Sequence, residues 1–332
     1  MNLKPIYFNN VYINSSSSFV GKKEFNGPLG ADFDAFESDE YFGCNSFEEA
    51  ESEMVRRNLN LLLKKANKNF DDIDLILGGD LINQCTATSF SICDKNIPFI
   101  GLYGACSTVI EAIICGATFI NNGFYNNAIA LASSHYCASE RQYRFPLEYG
   151  SVRTPTSQNT VTGTGAVLLS STQQTIKVSS GVVGRIVDKG ITDANNMGAA
   201  MACAAVDTIS RFFNNCDITP NSFDYILTGD LGIEGHSIAR EMLNFEGLTL
   251  GDNFVDCGAM IYDQKKQDTH SGGSGCGCIA SVLCGHFMKS LLNGNCKNIL
   301  AIGTGALLNP NSVFQKRHIP GIAHAIHITT EV

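Results

Sequence analysis

One cysteine in this chain occupies a position where its thiol could act as a nucleophile. Cys106 lies in the segment Gly-Ala-Cys-Ser-Thr, between the apolar stretch 97–103 and the apolar helical stretch 108–120. This pattern predicts a strand, a tight turn and a helix, with the cysteine at the first helical turn. Unpaired backbone N–H groups and the helix dipole favour a thiolate there, and they would equally hold a carboxylate or acyl oxygen without covalent chemistry. Most free cysteines are inert core residues, so this third reading stays open as well.

Basic side chains are densest in the segment that follows the predicted strand 128–132. They are His135, Arg141, Arg144 and Arg153. A guanidinium makes two parallel hydrogen bonds to a carboxylate, and N–H groups near Ser107 and Thr108 at the start of the helix would add further donors. We therefore expect a planar carboxylate to bind between the helix start and this segment. The alternative is that Arg141 and Arg144 only form ion pairs with the neighbouring Glu140 and Glu148 on a surface loop.

Composition excludes several classes of partner. The 23 Lys and Arg against 32 Asp and Glu give a net charge of −9, so we expect no nucleic-acid partner. The 13 cysteines, an odd number, follow no basic and apolar leader, which favours free thiols in a reducing compartment. The most apolar helical stretch, 108–120, is too short to span a bilayer and contains Glu111, so any membrane association must be peripheral.

The chain contains two diverged copies of one unit. The segment 70–81 returns at 221–232, which aligns Asp80 with Asp230. Residues 104–134 align without a gap on 275–305, and this alignment places Gly277 opposite Cys106. Equivalent aspartates at two strand ends are expected to cap a turn in each copy rather than to form a catalytic pair.

The repeat predicts an α/β protein of two halves, 1–174 and 175–332, with most of their difference in an excursion at 233–268. We expect a helix at 48–66 in the first half and at 199–213 in the second. Each half should form a mixed sheet, and the two sheets should enclose two buried helices in a layered αβαβα body.

This duplicated unit, with Gly-Ala-Cys-Ser opening a central helix, resembles the thiolase-like fold shared by thiolases and 3-oxoacyl-carrier-protein synthases. Six further segments resemble, more specifically, the stage V sporulation protein AD family of spore-forming bacteria. They are YGACST at 103–108, SSHYCASERQYRFPLEYG at 133–150, TGTGA at 162–166, NNMGAAMA at 195–202, GGSGCGC at 272–278 and IPGIAHAI at 319–326.

The resemblance implies a non-enzymatic protein that binds dipicolinic acid, alone or with calcium, during its movement into and out of the spore. It implies other membrane proteins of the same transport assembly as partners, a peripheral location on the inner membrane of the forespore or spore, and a homodimer formed through the edge of the first-half sheet. No cofactor and no metal site are expected. The ligand-binding residues that we expect are Cys106, Ser107, Thr108, His135, Arg141 and Arg144.

The resemblance also raises an acyltransferase alternative. Enzymes of this fold pair the cysteine with His and Asn, with two His, or with His and a second Cys. The similar synthases carry His-Gln-Ala-Asn after the strand that aligns with 225–228, where this chain has Gly-Asp-Leu-Gly at 229–232. His270, in rough register with a thiolase segment, is the remaining candidate partner for Cys106 as a nucleophile.

The glycine-rich segment 272–278 leaves further alternatives open. Cys276 and Cys278 would be the second cysteine of thiolases or small packing residues, and a zinc site is disfavoured because the paired C-x-x-C pattern is missing. A third functional hypothesis is a purely structural subunit that docks on a membrane complex and binds no small ligand.

Overall fold

The computed structural model describes residues 4–143 and 153–331. Arg144 lies outside these residues. The strands are β1 (Ile6–Tyr7), β2 (Tyr12–Gly21), β3 (Ala35–Glu37), β4 (Leu75–Asp80), β5 (Phe99–Gly101), β6 (Asn127–Ser134), β7 (Asn159–Thr160), β8 (Gly163–Ser170), β9 (Ile176–Val182), β10 (Tyr225–Thr228), β11 (Phe254–Asp256), β12 (Gly273–Ser274), β13 (Asn298–Ala306) and β14 (Gly321–Thr329).

The helices alternate with these strands, as expected of an α/β protein. They are α1 (Lys22–Phe25), α2 (Phe47–Ala66), α3 (Thr86–Ile92), α4 (Thr108–Asn121), α5 (Tyr136–Tyr143), α6 (Met197–Asn215), α7 (Gly232–Phe245), α8 (Cys257–Met260), α9 (Cys276–Val282), α10 (Met288–Leu292) and α11 (Pro310–Phe314). A π-helical turn, Leu283–Phe287, joins α9 to α10.

Strand order confirms the internal repeat. The first half-sheet runs β2-β8-β6-β4-β5 and the second runs β9-β14-β13-β10-β11. In each half the first two pairings are antiparallel and the last two are parallel. The aligned turns also match, because Gly123 and Gly294 have φ angles of +73° and +74°. Such left-handed angles suit a residue without a Cβ.

The two half-sheets are joined at one edge rather than being separate. Strands β2 and β9 pair antiparallel over two residue pairs, Tyr12 with Lys177 and Ile13 with Ile176. The short strand β1 also pairs with β9, so the N-terminal segment crosses to the second half. A two-stranded sheet of β7 and β12 makes a further link between the halves.

Alternating side chains on the strands produce the layers. In β4, Leu75 and Leu77 belong to the central core, whereas Ile76 packs with α2 on the outer face. In β13, Ile299 faces the central core and Leu300 packs with α6. Because successive strand residues point to opposite faces, each half-sheet is covered on both sides. The central helices α4 and α9 lie between the half-sheets, so the predicted five-layer fold is confirmed.

The predicted outer helices 48–66 and 199–213 are present as α2 and α6, with boundaries that differ by one or two residues. Much of the predicted excursion at 233–268 is α7, β11 and α8. The proposed division at 174 falls between β8 and β9, and as a domain boundary it stays a prediction.

Candidate functional site

The turn that carries Cys106 is built by close contact between the halves. One turn of 3₁₀ helix, Ala105–Ser107, separates β5 from α4, and the φ angle of Ala105 is +51°. Strand β13 passes directly beneath it. A Cβ on Gly303 would come within 2.7 Å of Ile110, and one on Gly305 would come within 2.8 Å of the Gly104 carbonyl oxygen. The bare backbone of β13 therefore supports the cysteine turn.

The Cys106 thiol faces a buried polar network from the second half. Its Sγ lies 4.0 Å from the hydroxyl oxygen of Ser274, which donates to Asp230 Oδ2 at 2.9 Å. Asp230 also accepts from Thr304 Oγ1 at 2.6 Å and from the backbone N–H of Gly275 at 3.1 Å. Three donors thus hold the carboxylate beside the thiol.

The electrostatics of this network keep the thiol neutral. Burial raises the pKa of Cys106 well above its ordinary value, and the negative charge of Asp230 raises it further. Burial also raises the pKa of Asp230 itself. The pKa of the neighbouring Asp256, which accepts from the backbone N–H groups of Leu231 and Gly232, is raised to about 7. This environment is the opposite of the electropositive one that activates a cysteine.

Cys106 opens on a cavity of about 290 Å³ between the two halves. The first half contributes Leu81, Tyr103, Ala105, Cys106, Ser139, Glu140, Tyr143 and Thr160. The second half contributes Ala194, Asn195, Met197, Met201, Ser274, Gly275, Ala306, Leu307, Leu308 and Asn309. Among these lining residues of the described chain, none is Lys, Arg or His. The wall offers hydroxyls, amides and apolar surface, but no imidazole that could deprotonate the thiol.

Two tyrosines and one glutamate organise the first-half wall. The hydroxyl oxygens of Tyr103 and Tyr143 lie 2.7 Å apart, and both donate to the Leu81 carbonyl. Glu140 is buried and accepts from Thr160 Oγ1 at 3.0 Å. Flat aromatic surface and short polar groups thus meet on one side of the cavity.

The helix-start residues predicted to bind the ligand turn their side chains toward their own backbone. Ser107 Oγ donates to the Gly104 carbonyl at 2.7 Å, and Thr108 Oγ1 donates to the Ala105 carbonyl at 2.6 Å. Their predicted ligand contacts, through backbone N–H groups, stay a prediction.

The basic residues of the predicted site lie apart from the cavity wall just described. His135 is buried, with Nε2 2.8 Å from the Glu40 carbonyl oxygen, and burial lowers its pKa. Arg141 is half exposed and forms an ion pair with Glu48. His270 Nε2 lies 3.3 Å from Asp268 Oδ1. The structure brings none of these three into the described lining of the Cys106 cavity, and their roles stay predictions together with that of Arg144.

Asp230 and Ser274 were missed as site residues. The expected turn-capping role holds for Asp80, which accepts from the Ile82 N–H at 3.1 Å and from Thr88. In the second half Asp256 caps the corresponding turn, which frees Asp230 for the thiol network. The available signal was the position of Asp230 in the segment where the similar synthases carry histidine.

The remaining cysteines near the site are packed. Cys276 Sγ donates to the Ala105 carbonyl at 2.9 Å, and Cys278 Sγ donates to the Gly229 carbonyl at 3.3 Å. Burial raises the pKa of both thiols well above the ordinary value. Within residues 4–143 and 153–331, no group of three or more His, Cys, Asp or Glu is placed to hold a metal ion, and no helix has the length and apolar character needed to cross a membrane.

Comparisons with known proteins agree on family and fold. A family model described as stage V sporulation protein AD matches residues 4–329. The chain is 40% identical over 316 residues to stage V sporulation protein AD of Bacillus subtilis (strain 168), covering 95% of this chain and 93% of that protein.

Solved structures of the same fold are more distant in sequence. The 3-oxoacyl-(acyl-carrier-protein) synthase III of Aquifex aeolicus VF5 is 14% identical with a TM-score of 0.63, over 96% of this chain and 99% of its own. An acetyl-CoA acetyltransferase of Syntrophomonas wolfei is 10% identical with a TM-score of 0.63, over 98% of this chain and 100% of its own. These likenesses show the thiolase-like fold.

Proposed function

The chain belongs to the stage V sporulation protein AD family of sporulation proteins, and from this membership we propose that it is a non-enzymatic binding protein for dipicolinic acid. It binds the ligand alone or with calcium. It works with membrane proteins of a spore transport assembly during uptake in sporulation and release at germination.

The observation that carries the proposal is a ligand-sized cavity around a thiol that is held neutral. The described wall of the Cys106 cavity has no histidine, lysine or arginine, and the charge of the Asp230 carboxylate raises the pKa of the thiol. A negative charge beside the thiol disfavours the thiolate that acyl transfer needs. The arrangement therefore supports binding rather than covalent catalysis.

The size and the surface of the cavity suit a small aromatic ring. Its 290 Å³ lie near the lower end of the range of about 300–1,000 Å³ that is typical of ligand pockets. Tyr103 and Met201 offer aromatic and thioether surface to a pyridine ring. Asn195 and Asn309 line the same cavity, and a side-chain amide is a neutral donor to a carboxylate.

Calorimetry with dipicolinate, with and without calcium, tests the proposal. Trp in place of Ala194 fills the cavity and should abolish binding, whereas Trp in place of the exposed Ala31 serves as the control. Binding that survives Ala194→Trp would place the ligand elsewhere. Arg141→Ala and Arg144→Ala test the predicted cations, and unchanged affinity in both removes that segment from the site.

The acyltransferase alternative, with Cys106 as nucleophile and His270 as its partner, has a separate test. The protein is incubated with an acyl-CoA and its intact mass is measured. We expect no adduct, because the pKa of the thiol is raised. A stable acyl adduct that maps to Cys106 and disappears in His270→Ala would support the enzyme instead.

We also propose a homodimer that pairs the β5 edges of two chains. Strand β5 ends the first half-sheet, and apolar side chains near it are exposed: Phe90 by 62%, Ile100 by 36% and Tyr103 by 49%. An unpaired strand edge with exposed apolar neighbours is a site for association. Ile100→Lys should produce monomers in sedimentation velocity, whereas Ile233→Lys, at another exposed isoleucine, should not.

Peripheral association with the inner spore membrane is part of the same proposal. It is tested by fractionating spores and washing the membranes with high salt. We expect the protein in the membrane fraction before the wash and in the supernatant after it. Release without any wash would contradict the association.

A further inference from the structure

A second cavity lies on the other side of β7 from the Cys106 cavity. It has a volume of about 230 Å³ and is enclosed by the end of β2 and the beginnings of α1 and α5. Asn159 lines this cavity, and the next residue, Thr160, lines the Cys106 cavity. Because successive strand residues point to opposite faces, the two cavities are separate sites.

Two cations of this second cavity converge on the same neutral oxygen atoms. Lys23 Nζ and Arg153 Nη1 donate to Asn159 Oδ1 at 2.9 and 3.4 Å. Both side chains also donate to the Asp268 backbone carbonyl, at 3.4 and 3.0 Å. The Arg153 side chain is 20% exposed, and its ion-pair partner, the Asp268 carboxylate, is 79% exposed. Glu37 and Glu40 line the same cavity, so these cations have carboxylates near them besides that of Asp268. A carboxylate that enters between Lys23 and Arg153 would meet N–H donors from both side chains.

Buried hydrogen bonds fix the acceptor that these cations share. Asn159 Nδ2 donates to the Tyr262 hydroxyl oxygen at 3.1 Å, and Tyr262 donates in turn to Glu24 Oε1. A rotation of the Asn159 amide that exchanged its nitrogen and oxygen would therefore break the hydrogen bond to Tyr262. Its Oδ1 is held toward the two cations.

Two polar atoms of the residues lining this cavity are buried without a hydrogen-bond partner in the part of the chain that the structure describes. They are Glu24 Oε2 and His135 Nδ1. The Cα of Gly21 leaves space beside the glutamate oxygen, where a Cβ would come within 2.9 Å. His135 Nε2 lies 2.8 Å from the Glu40 carbonyl, which only accepts, so Nδ1 of the neutral ring is an acceptor that lacks a donor.

We propose that this second cavity binds a small 2-hydroxy or 2-amino acid, whose carboxylate pairs with Lys23 and Arg153 and whose hydroxyl or amino group donates to His135 Nδ1. The ligand carries one carboxylate, because Glu37 and Glu40 place negative charge on the same wall and would repel a second one. An unpaired polar atom that a ligand group satisfies also gives selectivity over acids that lack the donor. This site is separate from the Cys106 cavity, and it gives His135 a ligand other than the dipicolinate that the sequence predicts for it.

NMR titration of the full chain with glycolate and with acetate tests the site. Glycolate should shift the ¹⁵Nδ1 resonance of His135 in a saturable way, because its hydroxyl donates to that nitrogen. Acetate has no such donor and should bind at least about tenfold more weakly. No saturable shift with glycolate in the wild-type protein, or equal affinity for both acids, would overturn the assignment.

Charge-removing variants test the two cations. Lys23→Met and Arg153→Met should each weaken glycolate binding by about tenfold or more, since each loses a charged hydrogen bond. Lys64→Met removes an exposed ammonium on α2 and should leave it unchanged. Unchanged glycolate affinity in Lys23→Met would contradict the proposal. If a variant does not fold, the comparison of glycolate with acetate in the wild-type protein decides whether the site exists. Ala194→Trp should retain glycolate binding, which separates this site from the Cys106 cavity.

Discussion

Asp80 and Asp230 come from equivalent strand ends of the two halves, yet their carboxylates bind different partners. Asp80 holds its own turn through Ile82 and Thr88. Asp230 turns toward the interface of the halves, where it accepts from Ser274. The thiol of Cys106 from one half and this carboxylate from the other therefore form one site. The position opposite Cys106 in the second half is a glycine, so the arrangement is not repeated.

Asp230→Asn should make Cys106 more reactive. The substitution removes the negative charge that raises the thiol pKa, so alkylation by iodoacetamide at a fixed pH should be faster. The NH₂ group of the new asparagine would also face groups that donate to Asp230 in the wild type, which should lower the free energy of unfolding by about 1–3 kcal/mol. Mass spectrometry of the Cys106 peptide measures the rate.

Asp80→Asn is the matched control for that experiment, because Asp80 occupies the same position in the other half. It should leave the alkylation rate of Cys106 unchanged. If both variants accelerate alkylation equally, loosening of the fold is the cause, and the electrostatic explanation is wrong.

At the scale of elements, the contact between α9 and β8 leaves no room for a side chain at the central layer. A Cβ on Gly165 would lie 1.9 Å from the carbonyl oxygen of Ala280. The Ala280 carbonyl belongs to the backbone of α9, so it cannot move aside as the end of a flexible side chain would. We expect Gly165→Ala to lower the free energy of unfolding by about 3 kcal/mol or more, above the usual 1–3 kcal/mol of overpacking.

Urea unfolding measures this loss, and Gly101→Ala is the control. A Cβ on Gly101 would meet its nearest neighbour, Phe99, at 3.4 Å, which is ordinary contact. It should change stability by no more than about 0.5 kcal/mol. Equal stability of the two variants would mean that α9 can move away from β8.

Strand β14 carries two buried histidines that make the folded protein less stable at acidic pH. Burial lowers the pKa of His324 and of His327 from 6.5 to about 4, and the charge of Arg211 contributes to the shift at His324. A base whose pKa is lower in the folded state binds fewer protons there than in the unfolded state. Stability from these groups is therefore present above pH 6.5 and is lost as the pH falls toward 4.

The double variant His324→Asn, His327→Gln should lose less stability than the wild type between pH 7 and pH 5. The difference is roughly 1–2 kcal/mol per histidine. The amides retain the contacts with the Gly184 N–H and with Asn298. Urea midpoints at both pH values measure the effect. His318→Gln, at an exposed histidine, should behave as the wild type does.

Hydrophobic patterning was sufficient to predict most elements, because each half buries its helices and strands in the same way. Periodicity placed α2 and α4 within one residue of their observed starts. Strand β5 was predicted longer than its three residues, since an apolar run does not show where pairing stops. The site was only partly predictable: Cys106 follows from a local pattern, whereas Asp230 and Ser274 reach it through contacts between halves that no local spacing encodes.

At the scale of the whole molecule, the Cys106 cavity is a property of the assembled halves. Tyr143 and Cys106 belong to one half, and Met201 and Ser274 belong to the other. A ligand there contacts both, so it stabilises their association as well as each wall. By contrast, the second cavity is lined entirely by residues of the first half.

The strand β1 ties this assembly together across the proposed boundary. Ile6 and Tyr7 pair with Gly181 and Ser180 of β9, although they begin the other half. Polypeptides 1–174 and 175–332 produced as separate chains in one cell should therefore copurify as a complementing pair. Each produced alone should aggregate, because the central core would lose one wall. Removing residues 1–10 from the first polypeptide should weaken the pair. Because contacts between the halves hold them together, limited proteolysis between β8 and β9 should leave a nicked protein that still behaves as one particle.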